Sequence, residues 1–396
     1  MADTHTEAGR YGEFVREILV AADADVDFSR YDNDGPDGVP ASGDDDGFVD
    51  LLILVLPEVP ENLLRGPTTG IAGLGFDQPF ITDDSGPGGA VRVDPRTGAV
   101  HQGRTFAEAV GTACHEFGHG LGLPDLFDID FVRSPEPLPP ERDSAGIGAW
   151  GLMGWGATGW NGDDGPNSLS GWSLRQLGWA RVQHLTEPVQ RIALADVGRR
   201  GDVLEIGVSA GERFLLEYRR RTSSHYDRNL PGEGLLIWRE ERDPVRSGRT
   251  VVTLECADGR WRDAGYPHGD RAAPADGGTN LDFWSHDAVY ARGHGGNLGD
   301  ATDPFDGVRR ARFTPDTNPS SASRTGGVPL LVEDIRVEDD TVRVRVTTAA
   351  PALRIGRADR ELGQARIRHV FALEPVPDQS FPLHPTGVPA GSCRRR

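Results

Sequence analysis

Lysine is absent from this chain of 396 residues, so all 42 basic side chains are arginine. They stand against 61 carboxylates, a net charge of 42 − 61 = −19. A surface this acidic repels polyanions, which argues against nucleic acid or an anionic membrane as partner. No run of about 18 apolar residues occurs, so no membrane-spanning helix is expected. The opening Met1-Ala2-Asp3-Thr4-His5-Thr6-Glu7 has neither a basic stretch nor an apolar core, and does not read as a signal peptide. Cysteine is scarce and odd in number (Cys114, Cys256, Cys393), which excludes a disulfide framework. Cys114 reads as a small buried hydrophobe packed under a helix. Methionine is scarcer still: apart from Met1 there is only Met153.

What the chain does contain is concentrated between Thr105 and Asp125. Thr105-Phe106-Ala107-Glu108 has the form of a capping box, so a helix is expected to start at Phe106. Phe106, Val110, Phe117 and Leu121 are spaced to form its apolar face. On that helix lies His115-Glu116-Phe117-Gly118-His119. Histidines four residues apart sit one turn apart on the same face, so both imidazoles can reach one ion. Glu116 projects beside them, placed to take a proton from water on that ion. Gly122 can end the helix in a left-handed conformation and return the chain, bringing Asp125 up as third ligand. Asp128 and Asp130 are rival donors, and a buried helix with merely hydrogen-bonded histidines is the plainer reading. Further on, Met153 lies in a glycine turn, Gly151-Leu152-Met153-Gly154, and reads as an apolar floor beneath the metal rather than an ordinary core methionine.

The length accommodates two ordinary domains. Residues 10–23 read as a helix, Asp50 to Leu56 as a buried strand, 66–89 as loop around a short strand and Ala90 to Asp94 as a strand. His5 and His101 are isolated and read as surface residues. Asp32, Asp34, Asp46 and Asp50 alternate with glycine turns in the manner of a calcium loop, although Pro36 to Gly43 interrupts the spacing. A solvated acidic turn is the alternative. Residues 126–149 read as an irregular loop and Ser168 to Trp179 as a helix closing the first domain. Beyond about residue 186, strands are expected at 190–194, 203–206, 213–218, 234–238, 251–255 and 330–346. Gly299-Asp300-Ala301-Thr302-Asp303-Pro304 reads as a turn before it reads as a calcium site. The expected organisation is an α+β catalytic domain over 1–185, a β-rich domain over 186–349 and a tail over 350–396.

Taken together, Asp27 to Asp32, the run HEFGHGLGLPDLFD from His115 to Asp128, Trp150 to Gly154, Leu177 to Trp179, Phe214 to Arg219 and Leu230 to Ile237 resemble the immune inhibitor A family of secreted zinc metallopeptidases. The resemblance covers roughly residues 10–348. It implies a metzincin-like zinc peptidase domain followed by a β-rich, sandwich-like one, and endopeptidase hydrolysis of protein or peptide substrates. His115, His119 and Asp125 would hold zinc, Glu116 would be the general base and acid, and Met153 the Met-turn. It further implies structural calcium, for which Asp32, Asp34, Asp46 and Asp50 are the candidates, and an extracellular setting. The rival readings are a catalytically degenerate peptidase fold that binds a ligand and a zinc hydrolase of a non-peptide amide. Natural substrate, oligomeric state and an oxyanion-stabilising donor have no signal in the sequence.

Overall fold

The structure is a computed structural model of the chain. It describes residues 11–56, 70–101, 105–127, 145–161, 164–242, 250–259 and 298–348. These fall in one compact unit running from Met1 to Ala352. His5, the rival donors Asp128 and Asp130, most of the loop expected over 126–149 and the tail over 350–396 lie outside the described residues.

The first helix, α1 (Tyr11–Ala22), buries Tyr11, Val15 and Leu19 at helical spacing. It packs with Val91, Val93 and Val100 in one core cluster. Three strands form a small sheet in the order β1-β5-β2, where β1 is Leu52–Val55, β2 is Gly70–Ala72 and β5 is Gly98–His101. β1 and β5 are parallel, while β2 runs antiparallel along the edge. A hairpin of β3 (Phe80–Gly86) and β4 (Gly89–Val93) lies beside them. The stretch read as mostly loop thus holds two strands, and the sequence reading passed over β5, only four residues long, although the turn at Asp94-Pro95-Arg96-Thr97 precedes it. His101, expected at the surface, is buried within β5.

The long helix α2 (Phe106–Gly120) begins where the capping box places it, with the Thr105 hydroxyl accepting from the Glu108 N–H at 3.1 Å. Its buried face is not the expected apolar one. Glu108, Gly111, Thr112, His115, Glu116 and Gly118 are buried, whereas Phe106 is 87% exposed and Phe117 42%. Cys114 is likewise exposed rather than packed beneath the helix. The helix can approach its neighbours this closely because glycine stands at the contacts: a Cβ on Gly111 would lie 1.6 Å from the Ala157 carbonyl oxygen.

A short helix, α3 (Gly171–Gln176), occupies the middle of the stretch expected to be helical from Ser168 to Trp179. Strand β6 (Arg181–His184) then enters a five-stranded sheet ordered β11-β10-β9-β8-β6, with β8 Asp202–Ser209, β9 Glu212–Arg219, β10 Gly234–Arg242 and β11 Thr250–Leu254. Between β6 and β8 come β7 (Val189–Ala195) and the one-turn helix α4 (Val197–Arg200); β7 joins β12 (Leu330–Glu338) and β13 (Thr341–Thr348) in a three-stranded sheet.

Strands β8 to β10 are buried on both faces, which explains their continuous runs such as Phe214-Leu215-Leu216 and Leu235-Leu236-Ile237-Trp238. One face, with Leu204, Phe214, Leu216 and Ile237, shares a core with Leu194, Val332 and Val344 of the three-stranded sheet. The other, with Val203, Leu215, Leu236 and Trp238, packs against Trp150, Met153 and Trp172. The central sheet therefore supports the loop that carries Met153.

The same sheet buries charge. Arg239 is 1% exposed; its guanidinium reaches Glu255 at 2.6 Å, pairs with Glu212 and donates to the Ser320 and Ala322 carbonyls. Arg219 binds Glu217 at 2.9 Å, and Glu217 in turn accepts from the Gly171 N–H at the start of α3.

Candidate metal centre

The end of α2 sets the site. Leu121 caps the helix and Gly122 adopts φ +90°, the left-handed backbone that glycine enters without strain. The Gly122 N–H bonds the His119 carbonyl at 2.9 Å, and the Leu123 N–H bonds that of Gly118 at 3.0 Å. This pairing closes the helix in a Schellman motif and turns the chain back beneath its own last turn. Leu126 then donates to the Met153 carbonyl at 2.8 Å, and Ile147 to the Leu126 carbonyl at 3.1 Å. Asp125 is thus held between two fixed points.

The return brings three donors together. Asp125 Oδ1 lies 3.1 Å from His115 Nε2 and 3.4 Å from His119 Nε2. The opposite ring nitrogens are both committed: His115 Nδ1 meets the Leu152 carbonyl and His119 Nδ1 the Leu123 carbonyl, each at 2.8 Å. A carbonyl can only accept, so each Nδ1 carries a proton, and the neutral form of each ring presents Nε2 to Asp125 as an acceptor. In that form three acceptors face one another, and a cation between them would satisfy all three. Two imidazoles and one carboxylate form a zinc-type donor set, and tetrahedral ligands at Zn–N distances of about 2.0–2.1 Å stand about 3.3 Å apart, close to the two separations found. The residues fit the metal.

A proton competes with the cation for the same donors. Burial alone would lower the pKa of His119, but its contacts with Asp125 and the Leu123 carbonyl raise it to about 8. Burial opposes ionisation of Asp125, yet the two imidazoles hold its carboxyl well below the usual carboxylate range. Burial pushes the Glu116 carboxyl up, against the pull of His115 and His119. Glu116 is 7% exposed and accepts from the Ala72 backbone of the edge strand β2. Gly70 makes room for it, since a Cβ there would lie 2.5 Å from Glu116 Oε1.

Met153 is fully buried under the helix, and a Cβ on Gly118 would sit 2.5 Å from its sulfur. The glycine in the middle of the histidine pair is thus the space the methionine fills. Phe127 stacks on His115 with ring centroids 6.5 Å apart and leans on Trp155 at 5.7 Å, walling one side of the donors. Sequence reasoning missed the Leu123 and Leu152 carbonyls, because backbone acceptors leave no residue-type signature. Gly70 and Phe127 were equally silent; only the mid-helix Gly118 offered a clue.

In the acidic segment, donor oxygens of Asp32, Asp34 and Asp46 lie within 4.8 Å of one another. Asp50 stands outside this group and accepts from the Asn33 N–H at 3.3 Å. Asp32 is 1% exposed, and its Oδ1 has no hydrogen-bond partner. Burial, then the charges of Asp45, Asp46, Asp34 and Asp50, push its pKa up to about 6.

Residues 3–184 match the family model described as immune inhibitor A peptidase M6, catalytic domain. The chain is also similar to the immune inhibitor A of Bacillus thuringiensis subsp. alesti, with 29% identity over 174 residues, 38% of this chain and 22% of that protein. It therefore spans little more than a fifth of that relative's length. No solved structure matches. The histidine pair, Glu116 and Asp125 all lie inside the segment that matches the peptidase M6 catalytic-domain model.

Proposed function

We propose that the chain is a zinc-dependent endopeptidase in which His115, His119 and Asp125 hold the metal and Glu116 is the general base and acid. The observation that carries this reading is the convergence of both Nε2 atoms on Asp125 Oδ1. Zinc bound there would supply Lewis acidity, polarising a carbonyl and acidifying water. The backbone acceptors at Leu123 and Leu152 keep both rings in the Nε2-facing tautomer. Glu116 takes the proton of the attacking water and returns it to the leaving amine, and a carboxylate whose pKa is raised by burial is the stronger base for the first step. Phe127 and Met153 shield the donors from bulk water.

The test is a zymogram with and without a zinc chelator, run beside Glu116→Ala and Asp125→Ala. Glu116→Ala keeps zinc and loses cleavage; Asp125→Ala loses zinc. Undiminished cleavage by Glu116→Ala sinks its role, and unchanged zinc in Asp125→Ala moves the third ligand elsewhere. A wild-type protein that binds zinc but cuts no peptide would favour the degenerate binding module or the amide hydrolase of another substrate. The β-rich region over 186–349 serves in this reading as the support of the metal's floor, because its central sheet packs on Met153.

The orphaned Asp32 Oδ1, with Asp34 and Asp46 beside it, supports a hard cation in the acidic segment, with oxygen donors of the kind calcium takes. Calcium titration of Asp46→Asn measures it, and an unchanged affinity removes the site. An extracellular setting follows the same family resemblance, and finding the protein confined to the cell fraction would exclude it.

A further inference from the structure

One buried titratable side chain stands outside the zinc chemistry. His101 ends β5, is 1% exposed, and its Nδ1 makes no hydrogen bond. Burial lowers its pKa, so the ring is neutral at pH 7. A neutral imidazole still carries one donor and one acceptor nitrogen, and an unmet polar atom in the interior costs free energy that an apolar residue would not. Buried water is the usual partner of such an atom when a second polar group is near.

The strand register shows which group that is. Where β2 pairs with β5, Gly70 lies opposite His101 and Ile71 opposite Val100. Residues directly opposite share a face of the sheet, and successive residues alternate between faces. Ile71 and Val100 face the core cluster that holds Val15 and Leu19 of α1. His101 and Gly70 therefore take the other face, the one that meets α2: a Cβ on Gly70 would lie 2.4 Å from Thr112 Cγ2 and 2.5 Å from Glu116 Oε1. The Gly73 N–H bonds the Gly98 carbonyl at 2.7 Å, so by alternation Gly70 and His101 form a pair of the closer, non-hydrogen-bonded kind. Opposed Cβ positions stand about 4.5–5.5 Å apart, which puts the His101 Cβ within about 8 Å of the Glu116 carboxylate. The ring takes up part of that interval. One water, which joins groups about 5–6 Å apart, spans the rest.

We propose that His101 is a positioning residue whose Nδ1 holds a buried water that hydrogen-bonds the Glu116 carboxylate above Gly70. The inference rests on the role of Glu116 in the zinc peptidase reading. A carboxylate has room for several donors, and the Ala72 backbone supplies one. The water supplies another from the strand side and fixes the carboxyl against rotation. A general base acts only within hydrogen-bond reach of its proton, so this orientation bears on rate more than on substrate binding. Gly70 leaves the space, since any side chain there would stand between the ring and the carboxylate.

Two measurements separate the bridge from the peptidase reading. A high-resolution crystal structure of the full chain is expected to show an ordered water within hydrogen-bond distance of both His101 Nδ1 and a Glu116 oxygen. Nδ1 facing only carbon, or bonded to another protein group, overturns the proposal whether or not the protein cuts peptides. In solution, His101→Phe keeps the ring shape and removes its polar atoms. Loss of an unmet buried polar atom is neutral or stabilising, so Tm holds or rises, with zinc content and KM unchanged. The kcat on a fluorogenic peptide falls roughly 10- to 100-fold, the usual cost of losing an orienting partner. His101→Asn carries a polar atom where Nδ1 stood and restores kcat; His101→Gln, whose amide overlies Nε2, does not. Wild-type kcat in His101→Phe overturns the proposal, and so does a fall in kcat matched by loss of zinc or of Tm, which marks a structural histidine. Should His101→Phe fail to fold, the contrast between His101→Asn and His101→Gln carries the result, and equal kcat in the two overturns it.

Discussion

Replacing Gly70 by alanine tests whether the edge strand holds Glu116, the proposed general base. Gly70 is not among the glycines with positive φ, so alanine meets no backbone penalty and gains about 0.5–1 kcal/mol of strand preference. Its Cβ, however, would lie 2.4 Å from Thr112 Cγ2 and 2.5 Å from Glu116 Oε1. Carbon contacts settle at about 3.5 Å, so each neighbour must yield about 1 Å. Thr112 is β-branched and stiff on its helix, which leaves Glu116 or strand β2 to move. Overpacking of this kind costs about 1–3 kcal/mol, so the net loss of stability is small. The loss of function is not, because a catalytic group misplaced by about 1 Å costs on the order of 10²-fold, or about 2.7 kcal/mol of transition-state stabilisation. Gly70→Ala is therefore expected to keep zinc, melt a few degrees lower at most and lose on the order of 10²-fold in kcat/KM on a fluorogenic peptide. Gly120→Ala is the control, since the nearest atom to a Cβ there is Phe117 Cδ2 at 4.0 Å. Wild-type kcat/KM in Gly70→Ala would refute the role of the strand.

Arg239→Ala removes the buried guanidinium from Glu212 and Glu255 and should cost about 3–5 kcal/mol, read as a lower midpoint in urea; a loss below about 1 kcal/mol would mean that water replaces the guanidinium. In metal-free protein, Asp32 titrates near pH 6 when folded and near 3.9 when unfolded. Its folded pKa is raised, so its contribution is complete below about pH 4 and is lost as pH rises through about 6. Wild type should therefore lose Tm relative to Asp32→Asn across that window in chelator, and a gap independent of pH would contradict the burial of Asp32.

Much of the site was legible because its chemistry depends on residue type and spacing. The start of α2 follows from Thr105 and Glu108, and its end from Gly122. The burial of α2 was not legible, for a reason that belongs to the site. The helix turns glycine, threonine, histidine and glutamate inward, so its apolar residues Phe106, Phe117 and Leu121 are left outside, and the hydrophobic pattern points the wrong way. Strands β8 to β10 were found because burial on both faces makes continuous apolar runs, while β5, only four residues long, left no such trace. Asp125 could be placed by the turn, but its companions Asp128 and Asp130 fall outside the described residues, and Asp50 adds its charge to the acidic group of Asp32, Asp34 and Asp46 while its carboxylate accepts from the Asn33 N–H.

The imidazoles of His115 and His119 are oriented by carbonyls and not by side chains. No substitution at Leu123 or Leu152 can delete an acceptor that every amino acid carries. Sequence drift can therefore pass through both positions while the ring orientation is inherited from the path of the main chain. Any residue that keeps the backbone N–H and the volume serves at these two leucines, and the site is vulnerable instead to an insertion that shifts the turn or to the loss of Gly122 that shapes it.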